Sequence, residues 1–170
     1  MIQRKQSVYL FFAAAILSVT YFFPLAAFIG EANSLVLYVY KVISLVPDLQ
    51  VELSPYFILP MFTIVSLVVM MSLVTIFIFK NRRIQLLLVR FMLLLLLIYI
   101  GVFFFYYVDV LSNLSGGVAA YPNALIIPST EIQIPTIVFL VPLISAVLLL
   151  MASRGIISDE KLIRSTDRLR

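Results

Sequence analysis

No cysteine, histidine or tryptophan occurs anywhere in the chain. Each absence removes a class of chemistry. Without cysteine there is no disulfide and no thiol redox centre. Without cysteine and histidine together the usual zinc ligand sets are missing, and so are imidazole ligation of haem and histidine proton relays. No cofactor and no metal are therefore expected. Charge is scarce as well: 12% of the 170 residues are charged, against roughly 25% in soluble domains. With 64% hydrophobic residues and a mean hydropathy of +1.16, the chain reads as one integral membrane domain, residues 1–170, rather than as a soluble one.

Four long apolar runs carry that reading: "VYLFFAAAILSVTYFFPLAAF", "YFILPMFTIVSLVVMMSLVTIFIF", "IQLLLVRFMLLLLLIYIGVFFFYYV" and "PTIVFLVPLISAVLLLMA". Each reaches or approaches the ~20 residues that a helix needs to cross about 30 Å of hydrocarbon. Lipid offers no partner for an open backbone N–H or C=O, so an all-α protein with four transmembrane helices is expected, spanning about residues 8–29, 55–79, 84–108 and 134–153. Arg4 and Lys5 ahead of the first run also suit a cleaved signal peptide. The run is longer than the usual apolar core of about 7–15 residues, and Phe22, Phe23 and Pro24 fit a cleavage site poorly, so a retained helix is favoured.

Basic residues set the orientation. Arg4 and Lys5 precede the first run. Lys80, Arg82 and Arg83 fill the turn between the second and third. Arg154, Lys161, Arg164, Arg168 and Arg170 follow the fourth. The two longer connections hold Lys41 as their one basic residue, against Glu31, Asp48, Glu52, Asp109 and Glu131. Both termini and the tight turn are therefore expected in the cytoplasm.

Prolines mark the boundaries. Ser54-Pro55 reads as an N-cap followed by proline at the first helical position, and Ile134-Pro135 offers the same start for the fourth helix. Pro24, Pro60 and Pro142 are expected to kink or loosen the outer helix ends. Tyr106 and Tyr107 close the third run, where amphipathic rings suit the outer interface. Of the outer connections, "SLVLYVYKVISL" reads as a strand or an amphipathic interfacial segment. The other holds a Gly116-Gly117 turn and two β-prone runs, "ALII" and "EIQI". A small β cap made by the two extracytoplasmic loops is expected.

Inside the predicted spans Arg90 is the one ionisable residue, and such a residue is a functional hypothesis by default. Two readings stand: a guanidinium snorkelling to the headgroups, or one tying the third helix to Asp159 or Glu160 through a charge-assisted bond. No carboxylate falls within a span, which lowers the prospect of proton-coupled transport. Paired catalytic carboxylates, a Ser/His dyad and a phosphate-binding glycine loop are likewise missing. Ser18, Ser66, Ser72 and Ser145 read as helix-packing residues, and Ala14 with Ser18 forms a small-xxx-small pair. The last residues, "SDEKLIRSTDRLR", suggest a short amphipathic cytoplasmic tail helix over 158–170. Ser158 would be its N-cap, Asp159 and Glu160 its first turn, and Glu160 with Arg164 an i,i+4 pair.

These end segments carry a resemblance. Ile2-Gln3-Arg4, then Lys80-Asn81-Arg82 with Gln85 and Arg90, then Asp159-Glu160, Leu162, Arg164-Ser165 and Asp167-Arg168-Leu169-Arg170 resemble a bacterial inner-membrane family known as domain of unknown function 4293. The resemblance spans the whole chain. It implies four spans with short cytoplasmic ends in the bacterial inner membrane, and it brings no activity with it.

Every matching polar motif falls on one side of the membrane. Arg4, Lys80, Asn81, Arg82, Arg83, Gln85, Arg90, Asp159, Glu160, Arg164, Asp167, Arg168 and Arg170 are therefore the candidate cytoplasmic docking surface. The expected partners are membrane lipids and other membrane proteins, not nucleic acid or metal. The function expected from these features is a non-enzymatic accessory or scaffold subunit of a larger membrane complex. The alternative is a lipid- or apolar-solute-binding or transport protein with a pocket between the outer helix halves.

Overall fold

The computed structural model describes residues 5–29, 34–44, 55–79, 81–115, 119–120, 125–126, 133–134, 138 and 140–167. These form the helices α1 (Lys5–Ser18), α2 (Pro55–Phe77), α3 (Arg82–Val102), α4 (Val108–Ser115) and α5 (Val141–Asp167). The strands are β1 (Ala26–Ile29), β2 (Ser34–Leu37), β3 (Val42–Ser44), β4 (Ala119–Ala120), β5 (Leu125–Ile126) and β6 (Gln133–Ile134). Three helical segments are long and apolar enough to cross a membrane: Tyr56–Phe77, Arg82–Leu114 and Val141–Glu160. The apolar helix Gln6–Tyr21 is shorter.

Four helices close into a ring in which α1 packs on α2 and α5, and α3 packs on the same two. Neighbours run antiparallel. Against α5, Gln6 meets Gly155 and Ala13 meets Ser145. Against α2, Leu10 meets Ser72 and Tyr21 meets Ser66. Lipid tails are as apolar as leucine, so helices in lipid associate through close packing and hydrogen bonds rather than by escaping water. The contacts follow that rule. Ala13 and Ala14 are buried on α1, and a Cβ added to Gly155 would lie 3.5 Å from that of Gln6. The Ser72 hydroxyl donates to the Leu10 carbonyl at 2.8 Å, and the Ser145 hydroxyl to that of Ala13 at 3.4 Å. The Ser66 hydroxyl donates within its own helix to the Phe62 carbonyl, which leaves its oxygen to accept from the Tyr21 hydroxyl at 2.7 Å. Ser18 bonds back to Ala14 in its own helix. Leu10, Leu17, Met61, Val65, Val89, Met92, Leu96, Leu149 and Ile156 fill the centre. Large apolar side chains such as Phe11, Met70, Phe77, Leu87, Leu97 and Val147 stay exposed on the outside.

The first apolar run is not one helix. Regular α-helix stops at Ser18, a single 3₁₀ turn covers Val19–Tyr21, and the chain is extended from Ala26. The reason is local: Pro24 can neither donate to a helix nor admit the preceding residue to one easily, and the β-branched and aromatic residues before it favour helix weakly. Pro60 lies inside α2. Pro142 is the second residue of α5, where a missing N–H removes nothing, so it starts a helix instead of kinking one. α5 accordingly begins at Val141 rather than near residue 134, because Gln133–Ile134 is paired as a strand.

The sheet order is β3-β2-β1-β4, all antiparallel, with a separate β5-β6 hairpin. Ala26 pairs with Leu37 and Phe28 with Leu35, while Ala27 pairs with Ala120 across the two connections. "SLVLYVYKVISL" is thus two strands, folded back by a turn in which the Tyr38 N–H donates to the Lys41 carbonyl at 2.8 Å. The Lys41 ammonium sits 5.4 Å from the centroids of both the Tyr38 and Tyr40 rings. The sheet rests on α4, with Phe28, Leu35 and Leu37 fully buried.

α3 reaches that sheet because its helix does not end at Tyr107. Gln85, Val89, Met92, Leu96 and Tyr99 line its buried face. An unbroken α-helix would continue that stripe through Phe103 to Tyr106 and Val110. Instead a π-helical turn spans Phe103–Tyr107. Its wider spacing advances the buried face by one residue, so Tyr107 and Leu111 are fully buried while Tyr106 is exposed. Tyr107 is therefore an interior residue, contrary to the expected interfacial pair. Its hydroxyl donates to the Phe57 carbonyl, and its ring meets that of Phe57 edge-on at 4.8 Å. Replacing Tyr107 with Phe should lower stability by about 1 kcal/mol, the net worth of one hydrogen bond. Deleting Phe105 should cost less, because it removes the extra residue that the wide turn accommodates and leaves Tyr107 and Leu111 on the buried stripe at ordinary α-helical spacing. Denaturant titration of the purified protein, followed by circular dichroism, checks the order of the two losses.

Candidate functional site

The end of the bundle where α1 and α3 begin, here the proximal end, gathers most of the buried polar side chains. Gln6, Ser72, Thr75 and Gln85 are all buried there. Ser72 bonds to Leu10, one turn from Gln6, and the Gln85 Nε2 group donates to the Thr75 carbonyl at 3.4 Å. These bonds place the two glutamines, on diagonally opposed helices, at the level of Thr75. The Oε1 atoms of Gln6 and Gln85 are buried without a hydrogen-bond partner among the described residues, as is the Arg82 Nη1 atom. Two acceptors and one cationic donor, shut away from solvent, form a polar layer just inside the charged α2–α3 turn. A half-satisfied layer of this kind is energetically demanding, because an unmade bond leaves the full desolvation cost of its group.

The residues singled out from the sequence divide around this layer. Arg4, Lys80, Arg168 and Arg170 lie outside the described residues. Asn81 and Arg83 are exposed at the start of α3 and Arg82 is half-buried. The Asn81 N–H donates to Ile78, and its carbonyl accepts from the Gln85 N–H at 3.0 Å. Gln85 is not on a surface at all: it continues the buried stripe of α3, so its amide is inside the bundle. Arg90 is exposed on the flank of α3, about 12 Å along the helix from Arg82. It makes no ion pair with Asp159 or Glu160 among the described residues. Asp159 and Glu160 are half-buried on α5, and Arg164 and Asp167 lie on the same helix.

Among the described residues there is no separate tail helix. α5 runs unbroken from Val141 to Asp167, and Ser158 sits in its interior rather than capping a new start. Once a helix is under way each further residue adds a bond without a new nucleation cost, and no proline interrupts Ser153–Asp167; Gly155 stays helical and packs against Gln6.

Gln6 was not legible as a site residue, although Gln6, Leu10, Ala13 and Leu17 share one helical stripe. The corresponding signal for Gln85 is its spacing to Val89, Met92 and Leu96. In each case a polar residue prolongs an apolar stripe. Among the described residues no group of three or more Asp or Glu side chains is placed to hold a metal ion.

A family model for a domain of unknown function, DUF4293, matches residues 2–169. The chain belongs to the DUF4293 family. No curated protein and no solved structure matches it. The match takes in the polar end segments together with all the described helices, so the DUF4293 domain here includes both the ring of helices and the proximal polar layer.

Gly155 tests how closely that layer is packed. Gly155→Ala in the DUF4293 protein should be neutral or slightly stabilising, since the added methyl meets Gln6 at ordinary contact distance and alanine favours helix by about 1 kcal/mol. Gly155→Leu should force α1 and α5 apart and lower the thermal unfolding midpoint by several degrees.

Proposed function

We propose that this chain is a four-span protein of the bacterial inner membrane, both termini cytoplasmic, acting as a non-enzymatic accessory or scaffold subunit of a larger membrane complex. The fourth crossing is α1. It is the shortest of the apolar helices, yet it is charge-free from Gln6 to Tyr21, exposes Phe11 and Phe12 outward, and packs beside α2 and α5. The proximal end is then cytoplasmic, as its excess of lysine and arginine requires, and the sheet caps the outer face.

One observation carries the scaffold reading: α5 is 27 residues long, about 40 Å, against about 30 Å of hydrocarbon. Its last turns extend beyond the bilayer as a helical post whose sequence carries both charge signs. A post of this kind suits docking, and the polar layer beneath it fixes where it stands. Catalysis would need converging polar groups with a route to substrate, and the proximal layer is closed.

The test is capture from native membranes through a tag on the amino terminus, with the full chain and with Asp159–Arg170 removed. The full chain should retain a defined membrane partner, and the truncated chain should lose it while still fractionating with membranes. A full chain that runs as a lone monomer and captures nothing overturns the scaffold role. Reporter fusions at the carboxyl terminus should be active only for the cytoplasmic reporter, and the opposite result overturns the orientation.

A further inference from the structure

One stripe of α3 faces outward from the ring of helices and carries two cations. Arg83, Leu87, Arg90, Leu94 and Leu97 are all exposed, and their spacing of four and three residues places them on one side of the helix. The opposite side carries the buried residues Gln85, Val89, Met92 and Leu96. Arg82 differs from its neighbour: it is half-buried, and its Nη1 atom belongs to the proximal polar layer. Arg83 and Arg90 are paired with no carboxylate among the described residues. Two guanidiniums on the face that meets lipid therefore lack the counter-charge that a cation in such a place requires.

Geometry brings the pair together. Seven residues separate them, about 10 Å along the axis. In a helix the Cα–Cβ bond leans toward the amino-terminal end, so the stem of Arg90 leaves the backbone toward Arg83. An extended arginine reaches about 6 Å through its five bonds. With the Lys80–Arg83 turn at the outer edge of the headgroup layer, which is about 5–7 Å thick, the Arg90 backbone lies a few ångströms inside hydrocarbon and its guanidinium within the layer. Both cations then meet lipid phosphates at nearly one depth. Farther into the bilayer Phe91, Leu94 and Leu97 are exposed on or beside the same stripe, a track for an acyl chain directly under the phosphate. That track favours a lipid over a free anion. Net charge selects among lipids, because a zwitterionic headgroup brings a cation of its own to two guanidiniums and an anionic one does not.

We propose that the Arg83–Arg90 face of α3 binds one anionic glycerophospholipid from the leaflet at the proximal end, its phosphodiester held by both guanidiniums and an acyl chain laid along Phe91, Leu94 and Leu97. The site rests on the membrane embedding proposed above but not on the scaffold role. Its test uses the isolated protein, so failed partner capture leaves it untouched, and fractionation with membranes judges the embedding separately.

The experiment equilibrates the detergent-purified full chain with an equimolar mixture of phosphatidylglycerol and phosphatidylethanolamine carrying identical acyl chains. Lipid that stays with the protein through gel filtration is extracted and quantified by mass spectrometry. Each arginine at a headgroup layer gives about a five-fold preference for anionic lipid, so wild type should retain phosphatidylglycerol about 25-fold over phosphatidylethanolamine. Arg90→Gln and Arg83→Gln should each lower the ratio to about five. Arg154→Gln, which removes an exposed arginine from α5, should leave it unchanged. Equal retention by wild type overturns the proposal and assigns the two cations to carboxylates of a protein partner. An unchanged ratio in Arg90→Gln overturns it as well. So does a ratio that Arg154→Gln lowers equally far, since bulk charge then explains the preference. If Arg90→Gln fails to fold, an unchanged ratio in Arg83→Gln overturns the proposal in its place.

Discussion

Two hydroxyls donated onto the backbone of α1 hold the arrangement in register. In hydrocarbon a serine has no water to turn to, and the carbonyls of Leu10 and Ala13 are the acceptors that Ser72 and Ser145 reach. Each such bond is modest, on the order of 0.6 kcal/mol between membrane helices, but each is directional where dispersion is not. One fixes the height of α2 against α1 and the other that of α5. Small residues make this possible: Ala13, Ala14 and Gly155 let the backbones approach closely enough for a short side chain to bridge. With both heights set, α3 closes the ring, Gln85 falls level with Gln6, and Tyr99 falls opposite the start of α5.

Two helices outrun the bundle, at opposite ends. The continuous segment Arg82–Leu114 is 33 residues long, about 50 Å, and its far end supports the sheet. α5 outruns the bundle at the proximal end. Both extensions follow from one economy: continuing a helix satisfies every new backbone group, whereas stopping one requires a cap or a partner strand. Where the helix does stop, at Tyr21, the chain passes within a few residues into the paired strand β1. The sheet is thus the means by which backbone groups released by α1 find partners above the helices.

Hydrophobic length made the helices legible, and residue type made the packing serines legible, since a hydroxyl in a span has few other uses. The stop at Pro24 was partly visible: the proline was noted, but a kink and a break look alike until the partner strand is known. Ser158 misled because capping preference is a local property, and here a helix already in progress overrode it. The π turn left no trace in the pattern of "GVFFFYYV", where every residue is apolar or aromatic and any face is suitable for burial. Gln6 and Gln85 were hidden for the opposite reason. Each borders a charged segment and reads as part of it, although helical spacing ties it to the apolar stripe.

The Lys41 ammonium held over Tyr38 and Tyr40 gives the β2–β3 turn an unusual tolerance. A lysine clasped by a carboxylate loses its partner when acid neutralises that group near pH 4, and an exposed ion pair weakens as salt rises. The negative face of an aromatic ring takes up no proton in acid, and it meets the cation at contact range. The corner of the sheet is therefore built to keep its shape through swings of acidity and ionic strength.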